Sequence, residues 1–312
     1  MFPTAAGIGN IATTTMRYVP QLWSAKLLVK FYRRTVLAAI SNTDYEGQIR
    51  NQGDTVYIRA LPTITVNDYS KGQTLNYETP TSTAVTLLID KGKSWSFAAP
   101  KVDQVQTDMK DYTNRWTEDA AKQLAISIDT DILAAIYPDA HASNRGNSAG
   151  AISGNIALGV AAGAAVSLTT ANILTKMVEC AQVLAEQDVP QESEMFFVLP
   201  EWAISLLALS DIKNASLTGD TVSPMRNGRI GKVYRFTVYS SNLLATGTDI
   251  GSVTCQYSLF GTKDALTFAS QLTENEQLKN PNDFGMLHRG LQIFGYKVVK
   301  PEALGTMFIK KG

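Results

Sequence analysis

The sequence predicts an α+β fold, in which helices and strands follow one another without a regular order. Residues 101–137 carry apolar side chains at every third or fourth position, which is the spacing of one helical face. Residues 53–61 instead alternate apolar and polar side chains, which is typical of a half-buried strand. These patterns do not repeat as strand, helix and strand, so the sequence does not favour a parallel α/β sheet.

The pattern over residues 101–137 predicts one very long helix. It contains no glycine or proline and is bracketed by Pro100 and Pro138. At about 1.5 Å per residue the helix would be on the order of 55 Å long, so we interpret it as a strut. Two alternatives stay open: two helices broken near Asn114 or Ser127, or one half of a coiled coil, although no heptad is sustained.

A long hairpin is predicted before this helix. Strand patterns at residues 53–61 and 83–97 are separated by about twenty residues that are rich in turn formers and short polar side chains. Hairpin loops in compact domains usually have about 2 to 5 residues. The intervening segment is therefore either disordered or in contact with something outside its own domain.

The remaining segments are assigned by the same rules. Residues 1–18 resemble an extended arm, and residues 20–41 form an amphipathic pattern that favours a helix packed on a neighbour over a helix at a membrane surface. Residues 138–170 are dominated by Ala, Gly, Ser and Asn, which predicts a flexible connection or mobile loop. Further on, we expect helices at 173–184 and 201–210, a strand at 195–200, a turn and then a strand at 228–244, and one or two strands at 254–272. Residues 285–311 are expected to form further strands, interrupted at Pro301.

Composition excludes several classes of protein. The formal net charge is zero and the isoelectric point about 6.7, so there is no basic surface of the kind found on dedicated nucleic-acid binders. Cys180 and Cys255 lie in apolar surroundings and are expected to be unpaired core residues. No apolar run reaches the ~18 residues of a membrane span, and no signal peptide is recognised, so we expect no membrane contact and a cytosolic chain.

No motif for catalysis, metal binding or cofactor binding is recognised. His141 and His288 are isolated from each other and from the cysteines, without the paired spacing of a zinc site. The nearest phosphate-loop lookalike, GRIGK at residues 228–232, lacks the spacer and the hydroxyl residue of that motif, so a tight turn is the better explanation. We expect neither an enzyme nor a cofactor.

The order of several motifs resembles the major capsid protein family of tailed bacteriophages, with the Hong Kong 97-type fold that encapsulins share. The resemblance covers nearly the whole chain and rests on the collinear order of VPQLWSAKLLVKF, GDTVYIRAL, LLIDKGKSWSFAAPKVDQVQTDM, GRIGKVYRFTVYSSNLL, LFGTKDALTFASQL and LQIFGYKVVKPEAL.

The resemblance implies a division of the chain into four parts. These are an N-terminal arm and helix (1–45), an extended β-hairpin loop (46–99), a peripheral domain (100–169 and 272–312) that includes the spine helix at 101–137, and an axial domain (170–271). The extended loop would lie over a neighbouring subunit. The candidates for intersubunit contact are Asp68, Tyr69, Lys71 and Tyr77 in the loop, Arg115 on the spine helix, and Arg229 in the later turn.

The implied function is a structural virion protein that self-assembles into hexamers and pentamers of an icosahedral head around double-stranded DNA. Expected partners are a separate scaffolding protein, a portal, weakly contacted DNA and a decoration protein. The scaffolding protein is expected to be separate because no long scaffolding segment precedes Val19. The chain would reside in the host cytoplasm before assembly and in the virion afterwards. The alternatives are an encapsulin-like compartment shell and, from another class, a soluble α+β hydrolase or ligand-binding protein.

Some family members cross-link their subunits covalently through a loop lysine and an asparagine of another subunit. Lys71 lies near the centre of the predicted loop, and Asn280 or Asn282 are the corresponding partners that the resemblance suggests. A solvated lysine at a loop tip is the commoner explanation for Lys71, because attack on an amide needs a buried lysine with an altered pKa.

Overall fold

The computed structural model describes residues 32–33, 35–44, 55–62, 64–75, 77–82, 84–106, 112–161, 163–190, 193–210, 231–250 and 252–312. Its strands are β1 (Thr55–Arg59), β2 (Ala84–Leu88), β3 (Lys91–Pro100), β4 (Val166–Leu168), β5 (Met195–Leu199), β6 (Lys232–Val233), β7 (Phe236–Ser240), β8 (Thr246–Thr248), β9 (Thr254–Thr262), β10 (Leu266–Lys279), β11 (Gly285–Val298) and β12 (Leu304–Lys311). Its α-helices are α1 (Leu37–Ile40), α2 (Lys101–Gln106), α3 (Tyr112–Ile136), α4 (Ile173–Ala185) and α5 (Glu201–Leu209). The predicted α+β class is confirmed.

A seven-stranded mixed sheet holds most of the core. Its order is β4-β12-β9-β5-β7-β6, and β8 pairs with β9 at the side. The central strand β5 is buried at all five positions, which explains its uninterrupted apolar sequence. Phe197 in β5 stacks on Phe260 in β9 and meets Phe236 in β7 edge-on, so aromatic rings join three neighbouring strands. β4 and β12, assigned by sequence to the peripheral domain, share this sheet with strands of the predicted axial domain.

A separate three-stranded antiparallel sheet, in the order β10-β11-β3, carries the long helix α3 on one face. Along β3, half-buried positions alternate with exposed ones until Ala99. Phe97, on the covered face, stacks on His288 of β11 and meets Trp116 of α3 edge-on. Lys93, on the same face, forms an ion pair with Asp131 of α3. The sheet and the helix therefore form one layered unit.

The long helix is continuous from Tyr112 to Ile136 and passes unbroken through Asn114 and Ser127, where a break had been the alternative. Residues 107–111, between α2 and α3, are outside the described residues, so the predicted single helix over 101–137 is confirmed for 112–136. The helix ends in a 3-10 turn at Tyr137–Asp139, because Pro138 cannot continue the hydrogen-bond ladder. Its C-terminal half is buried in the core at Ile128, Ile132, Leu133 and Ile136.

The predicted single strand at residues 83–97 is wrong. The chain forms β2 and then, after Ile89 and Asp90, β3 in a different sheet. β2 pairs with β1, whereas β3 pairs with β11. Both segments have strand-forming side chains, so local sequence does not mark the point at which the partner changes.

The prediction of a flexible connection or mobile loop at residues 138–170 is also wrong. The side chain of Asn144 is buried and donates hydrogen bonds to the carbonyls of Glu302 at 2.6 Å and Leu304 at 3.0 Å. Ala149 and Ile156 pair across a bridge and are both buried, and the segment ends in strand β4. Small residues allow this close packing. A composition rich in small residues is also typical of flexible linkers, so composition alone does not distinguish the two.

The N-terminal part of the chain enters the described structure alongside α3. Of the predicted helix at 20–41, residues Leu37–Ile40 are helical as α1, but the prediction is wrong at residues 32–33, 35–36 and 41, which are not helical. Residues 1–31, including the predicted arm, and residue 34 lie outside the described residues. Beyond α1, Asn42 accepts a hydrogen bond from the N–H of Phe268 and donates one from its own N–H to Leu266. Cys180 and Cys255 are free and buried, as the sequence predicted.

Candidate functional site

Strands β1 and β2 continue into a long hairpin arm formed by residues 60–83. Arg59 pairs with Ala84 at the end of the ladder. Farther out, the N–H of Thr65 donates to Glu78 Oε2 at 3.1 Å. The pair Arg59 and Ala84 and the pair Thr65 and Glu78 are both centred, in sequence, on the Lys71–Gly72 peptide bond. The two halves of the arm therefore keep the register of the strands, which confirms the predicted long hairpin.

The end of the arm is a tight turn. The N–H of Gln73 donates to the carbonyl of Ser70 at 3.0 Å, and Gly72 has a φ of 90°. A positive φ at the third position of a turn is strained for residues with a side chain, so glycine suits this position. Lys71 precedes it and lies at the tip, as the sequence predicted.

The hairpin arm exposes apolar side chains along most of its length. In residues 64–75 and 77–82, every position is exposed. The large apolar residues among the described arm positions have between 56% and 97% of their surface accessible; they are Leu61, Ile64, Val66, Tyr69, Leu75 and Tyr77. Single exposed apolar residues are ordinary, but a row of this size on one segment indicates a surface that another molecule covers.

The base of the arm is fixed to the three-stranded sheet by a small cluster separate from the main core. Ile58 and Leu87 from the arm's strands pack with Ile89 and with Ala269 of β10. Gly295 of β11 lies under the same region, where an added Cβ would come within 2.3 Å of the carbonyl oxygen of Leu88. The arm is thus held firmly at its base while its outer half has no cover from the described residues.

Four of the six contact residues that the resemblance implied lie on this arm. Asp68, Tyr69, Lys71 and Tyr77 are all exposed there. Arg115 is exposed on α3, which is a different element, and Arg229 is outside the described residues. The sequence reasoning missed Leu61, Ile64, Val66 and Leu75, although apolar residues inside a long segment of turn formers are a usable signal for such a surface.

A second exposed apolar surface, here termed the tip patch, consists of Val102, Val105 and Phe284. These residues are 55%, 78% and 83% exposed, and together with Lys101 they line a shallow cavity of about 360 Å³. The N–H of Lys101 donates to the carbonyl of Phe284 at 2.8 Å, which joins the start of α2 to the hairpin between β10 and β11. Asn280 and Asn282, the suggested cross-link partners, are in the same hairpin, where the N–H of Asn282 donates to Asn280 Oδ1 at 3.0 Å.

Among the described residues, no metal site and no membrane-spanning helix is found. Within the described ranges, His, Cys, Asp and Glu side chains form no group of three that could hold a metal ion. The described helices also include none with the length and apolarity needed to span a membrane.

Comparison with known proteins gives a consistent result. Residues 86–306 match the family model described as phage capsid protein. A solved chain from Mycobacterium phage Che8 is 25% identical with a TM-score of 0.75, over 94% of this chain and 98% of that chain. A chain of the cyanophage P-SCSP1u capsid is 13% identical with a TM-score of 0.71, over 95% of this chain and 94% of that chain. A chain of the mature capsid of bacteriophage PhiM1 is 15% identical with a TM-score of 0.65, over 94% of this chain and 92% of that chain. Among the curated proteins, no match is found.

Proposed function

Since this chain belongs to the phage capsid protein family and is a major structural protein of the capsid, we propose that it self-assembles into the hexamers and pentamers of an icosahedral head around double-stranded DNA. The fold is that of phage capsid chains along almost its entire length. The function is structural, and we infer that the chain carries out no catalytic turnover.

The hairpin arm is the observation that supports assembly most directly. Its six exposed large apolar side chains do not belong to the main core. Fully burying one such side chain contributes about 1.5–3 kcal/mol, so covering several of them in a neighbour's surface is a sufficient driving force for association. An arm that reaches from one subunit to the next makes a head-to-tail contact, which closes into rings when the rotation between subunits permits.

The proposed partners follow from the same assignment. A separate scaffolding protein and a portal direct assembly, a decoration protein is a further candidate, and contact with packaged DNA is weak because the net charge is zero. Assembly takes place in the host cytoplasm and the product is the virion.

We further propose the domain division given by the resemblance, with 46–99 as the extended loop, 100–169 and 272–312 as the peripheral domain, and 170–271 as the axial domain.

Removing the arm tests the proposal. Replacing residues 61–82 with Asn-Gly joins Ala60 to the residue before Ala84 through a two-residue hairpin turn, and it keeps the register of β1 and β2. We expect the subunit to keep its circular dichroism spectrum and its unfolding midpoint, because the arm's outer contacts are with other subunits. Electron microscopy should show no shells, with or without the scaffold, whereas the unaltered chain forms them.

Two outcomes would contradict the proposal. If the shortened chain unfolds, the arm belongs to its own subunit's core; if the unaltered chain stays monomeric with its scaffold, it does not form a shell. Nucleic-acid content of purified particles separates a phage head from a compartment shell, because a compartment shell would instead copurify with one specific enzyme.

A further inference from the structure

A cavity of about 360 Å³ lies where the long helix ends, beside the seven-stranded sheet. The ring of Tyr137, directly after α3, stacks on Tyr257 of β9 with 4.0 Å between the ring centres, and Tyr257 in turn packs against Phe308 of β12 at 4.6 Å. Both tyrosines line the cavity and are half-buried, so part of the stack is accessible there. This cavity, here termed the tyrosine pocket, therefore has an aromatic wall that is supported from behind.

The rest of the tyrosine pocket is formed by small residues and one cation. Gly159 lies so close to the sheet that an added Cβ would be 2.4 Å from the carbonyl oxygen of Phe308, and Val160 beside it is 40% exposed. The exposed Arg145 also lines the pocket and donates to the carbonyl of Pro138. No carboxylate among the described residues forms an ion pair with Arg145. The pocket thus combines an apolar contact surface with an uncompensated positive charge.

A pocket of this chemistry suits an aromatic side chain that lies next to a carboxylate. Aromatic rings gain energy from offset or edge-on contacts with other rings, in addition to the area that they bury. A guanidinium forms its strongest hydrogen bonds with carboxylates, often through two donors at once. The volume lies within the range of sites that hold small ligands, so it is large enough for one tyrosine side chain.

The hairpin arm carries such a pair of residues near its tip. Tyr69 is 70% exposed, and Asp68 beside it is exposed as well. Asp68 has no hydrogen bond or ion pair with any residue that the structure describes, whereas Glu78, next to Tyr77, already accepts hydrogen bonds from Thr65. The aromatic and acidic pair of the arm and the tyrosine pocket are therefore both open in the single subunit.

We propose that the tyrosine pocket receives Tyr69 from the hairpin arm of a second copy of the chain, with Asp68 of that copy paired to Arg145. This inference rests on the proposed function and names the surface that the arm meets. The arm and the pocket are different surfaces of one chain, so the contact is head-to-tail, and each subunit can give one arm and accept another. The ion pair at the edge of the pocket selects this register of the arm over others.

An exchange of charges tests the pairing. We expect Arg145→Glu and Asp68→Arg each to lower the yield of particles, measured by sedimentation, at least tenfold, because each variant brings like charges together. The double variant Arg145→Glu/Asp68→Arg restores opposite charges and should return the yield to within about threefold of the unaltered chain. Arg145→Glu/Asp283→Arg is the matched control, since Asp283 is an exposed acid outside the arm, and it should not restore the yield.

An unchanged yield in Arg145→Glu would overturn the proposal, as would a double variant that assembles no better than the single variants. The unfolding midpoint of disassembled subunits should be the same in all four variants, because Arg145, Asp68 and Asp283 are exposed.

A cross-link tests the contact without altering the residues that make it. Ser70→Cys and Ala142→Cys place thiols next to Tyr69 and at the border of the pocket, at exposed positions, while the native Cys180 and Cys255 are buried and react poorly. With a short bismaleimide, particles should give a ladder of linked chains on a denaturing gel, and peptide mapping should join residues 70 and 142. A link confined to single chains, or no link, would overturn the proposal.

This proposal and the proposed function fail in different ways. If the unaltered chain forms no shells with its scaffold, assembly into a head is contradicted, and the same cross-link in concentrated subunits still decides whether the arm meets the pocket. If Arg145→Glu forms shells as well as the unaltered chain and residues 70 and 142 do not link, assembly is retained and the tyrosine pocket is not where the arm binds.

Discussion

The carboxylate of Asp129 accepts a 2.6 Å hydrogen bond from the backbone N–H of Val36, although 93 positions separate the two residues. The same oxygen accepts a second bond, of 3.1 Å, from the N–H of Leu37. Asp129 is buried, and burial raises the pKa of its carboxyl, while the two backbone hydrogen bonds act in the opposite direction. One side chain of the long helix thus satisfies the free N–H groups at the start of α1 and fixes the N-terminal segment on the core.

Asp129→Ala is expected to lower the free energy of unfolding by about 3 kcal/mol, because it leaves two backbone N–H groups buried without acceptors. Urea denaturation of disassembled subunits, followed by tryptophan fluorescence, measures the change. Asp131→Ala is the matched control: Asp131 is two positions away and forms a partly exposed ion pair with Lys93, so its loss should cost less than about 1 kcal/mol. Equal losses in the two variants would show that the Asp129 bonds are not important for stability.

Gly305→Ala should destabilise the subunit by about 1–3 kcal/mol, because the added methyl group overfills the core. An added Cβ at Gly305 in β12 would lie 2.3 Å from the ring of Phe260, which is fully buried in β9. Gly92→Ala is the control, since Gly92 is also in a strand and has no atom within 4 Å of an added Cβ. We expect its unfolding midpoint to be unchanged or slightly higher, and a loss comparable to that of Gly305→Ala would contradict the packing explanation.

The contribution of Glu186 to the free energy of unfolding should depend on pH. The backbone N–H of Ser153 donates to its carboxylate at 2.9 Å, and this bond, with smaller contributions from the Gln182 side chain, the N–H of Ile152 and the Ser153 hydroxyl, lowers its pKa to about 2 from the ordinary 4.5. A lowered acid pKa stabilises the folded state above pH 4.5, and this stabilisation disappears as the pH falls toward 2.

Glu186→Gln should therefore be less stable than the natural chain at pH 7, by about 1 kcal/mol once screening of this partly exposed group is considered. The difference should shrink between pH 4.5 and pH 2. Denaturant titrations across this range measure it, with Glu194→Gln as a control at an exposed ion pair with Lys263. A difference that stays constant with pH would rule out the charged hydrogen bonds as its source.

Tyr77→Ser should reduce shell assembly at least tenfold without changing the stability of the subunit. Tyr77 is 92% exposed on the hairpin arm, so its removal leaves no cavity in the subunit but takes a large apolar surface from the proposed contact. Particle yield by sedimentation and the unfolding midpoint are the two measurements. Tyr234→Ser, at a tyrosine that is 61% exposed before β7, serves as the control and should keep its yield; equal yields for both variants would contradict a role for the arm.

Particles boiled in detergent should separate into single chains of 33.9 kDa. Lys71 is exposed at the turn of the arm, and attack on an asparagine needs an uncharged amine that burial would favour. A denaturing gel of purified particles checks this expectation. A ladder of linked chains that disappears in Lys71→Arg would instead identify Lys71 as a cross-linking residue.

The candidate site was only partly predictable from the sequence. The excess length of the segment between two strand patterns indicated an outreaching loop, and the resemblance placed Asp68, Tyr69, Lys71 and Tyr77 on it. The sequence does not show which apolar residues of the loop stay exposed, because exposure depends on how the chain packs. Leu61 or Val66 could equally have been covered by another part of the same subunit. The tip patch was not predicted, because it combines Val102 and Val105 with Phe284, which is far away in the sequence.

Local patterns in the sequence were enough to predict the class of the fold, the long helix, the buried strand β5 and the hairpin, because each depends on a local period of side chains or on the length between two patterns. The points at which strands change their pairing partners depend instead on the three-dimensional arrangement. The break at Ile89 and Asp90, which sends β2 and β3 into different sheets, and the ordering of residues 138–170 around Asn144 both depend on contacts with distant segments. Such contacts leave no local periodicity, since the same small or strand-forming residues suit either arrangement until the rest of the chain selects one.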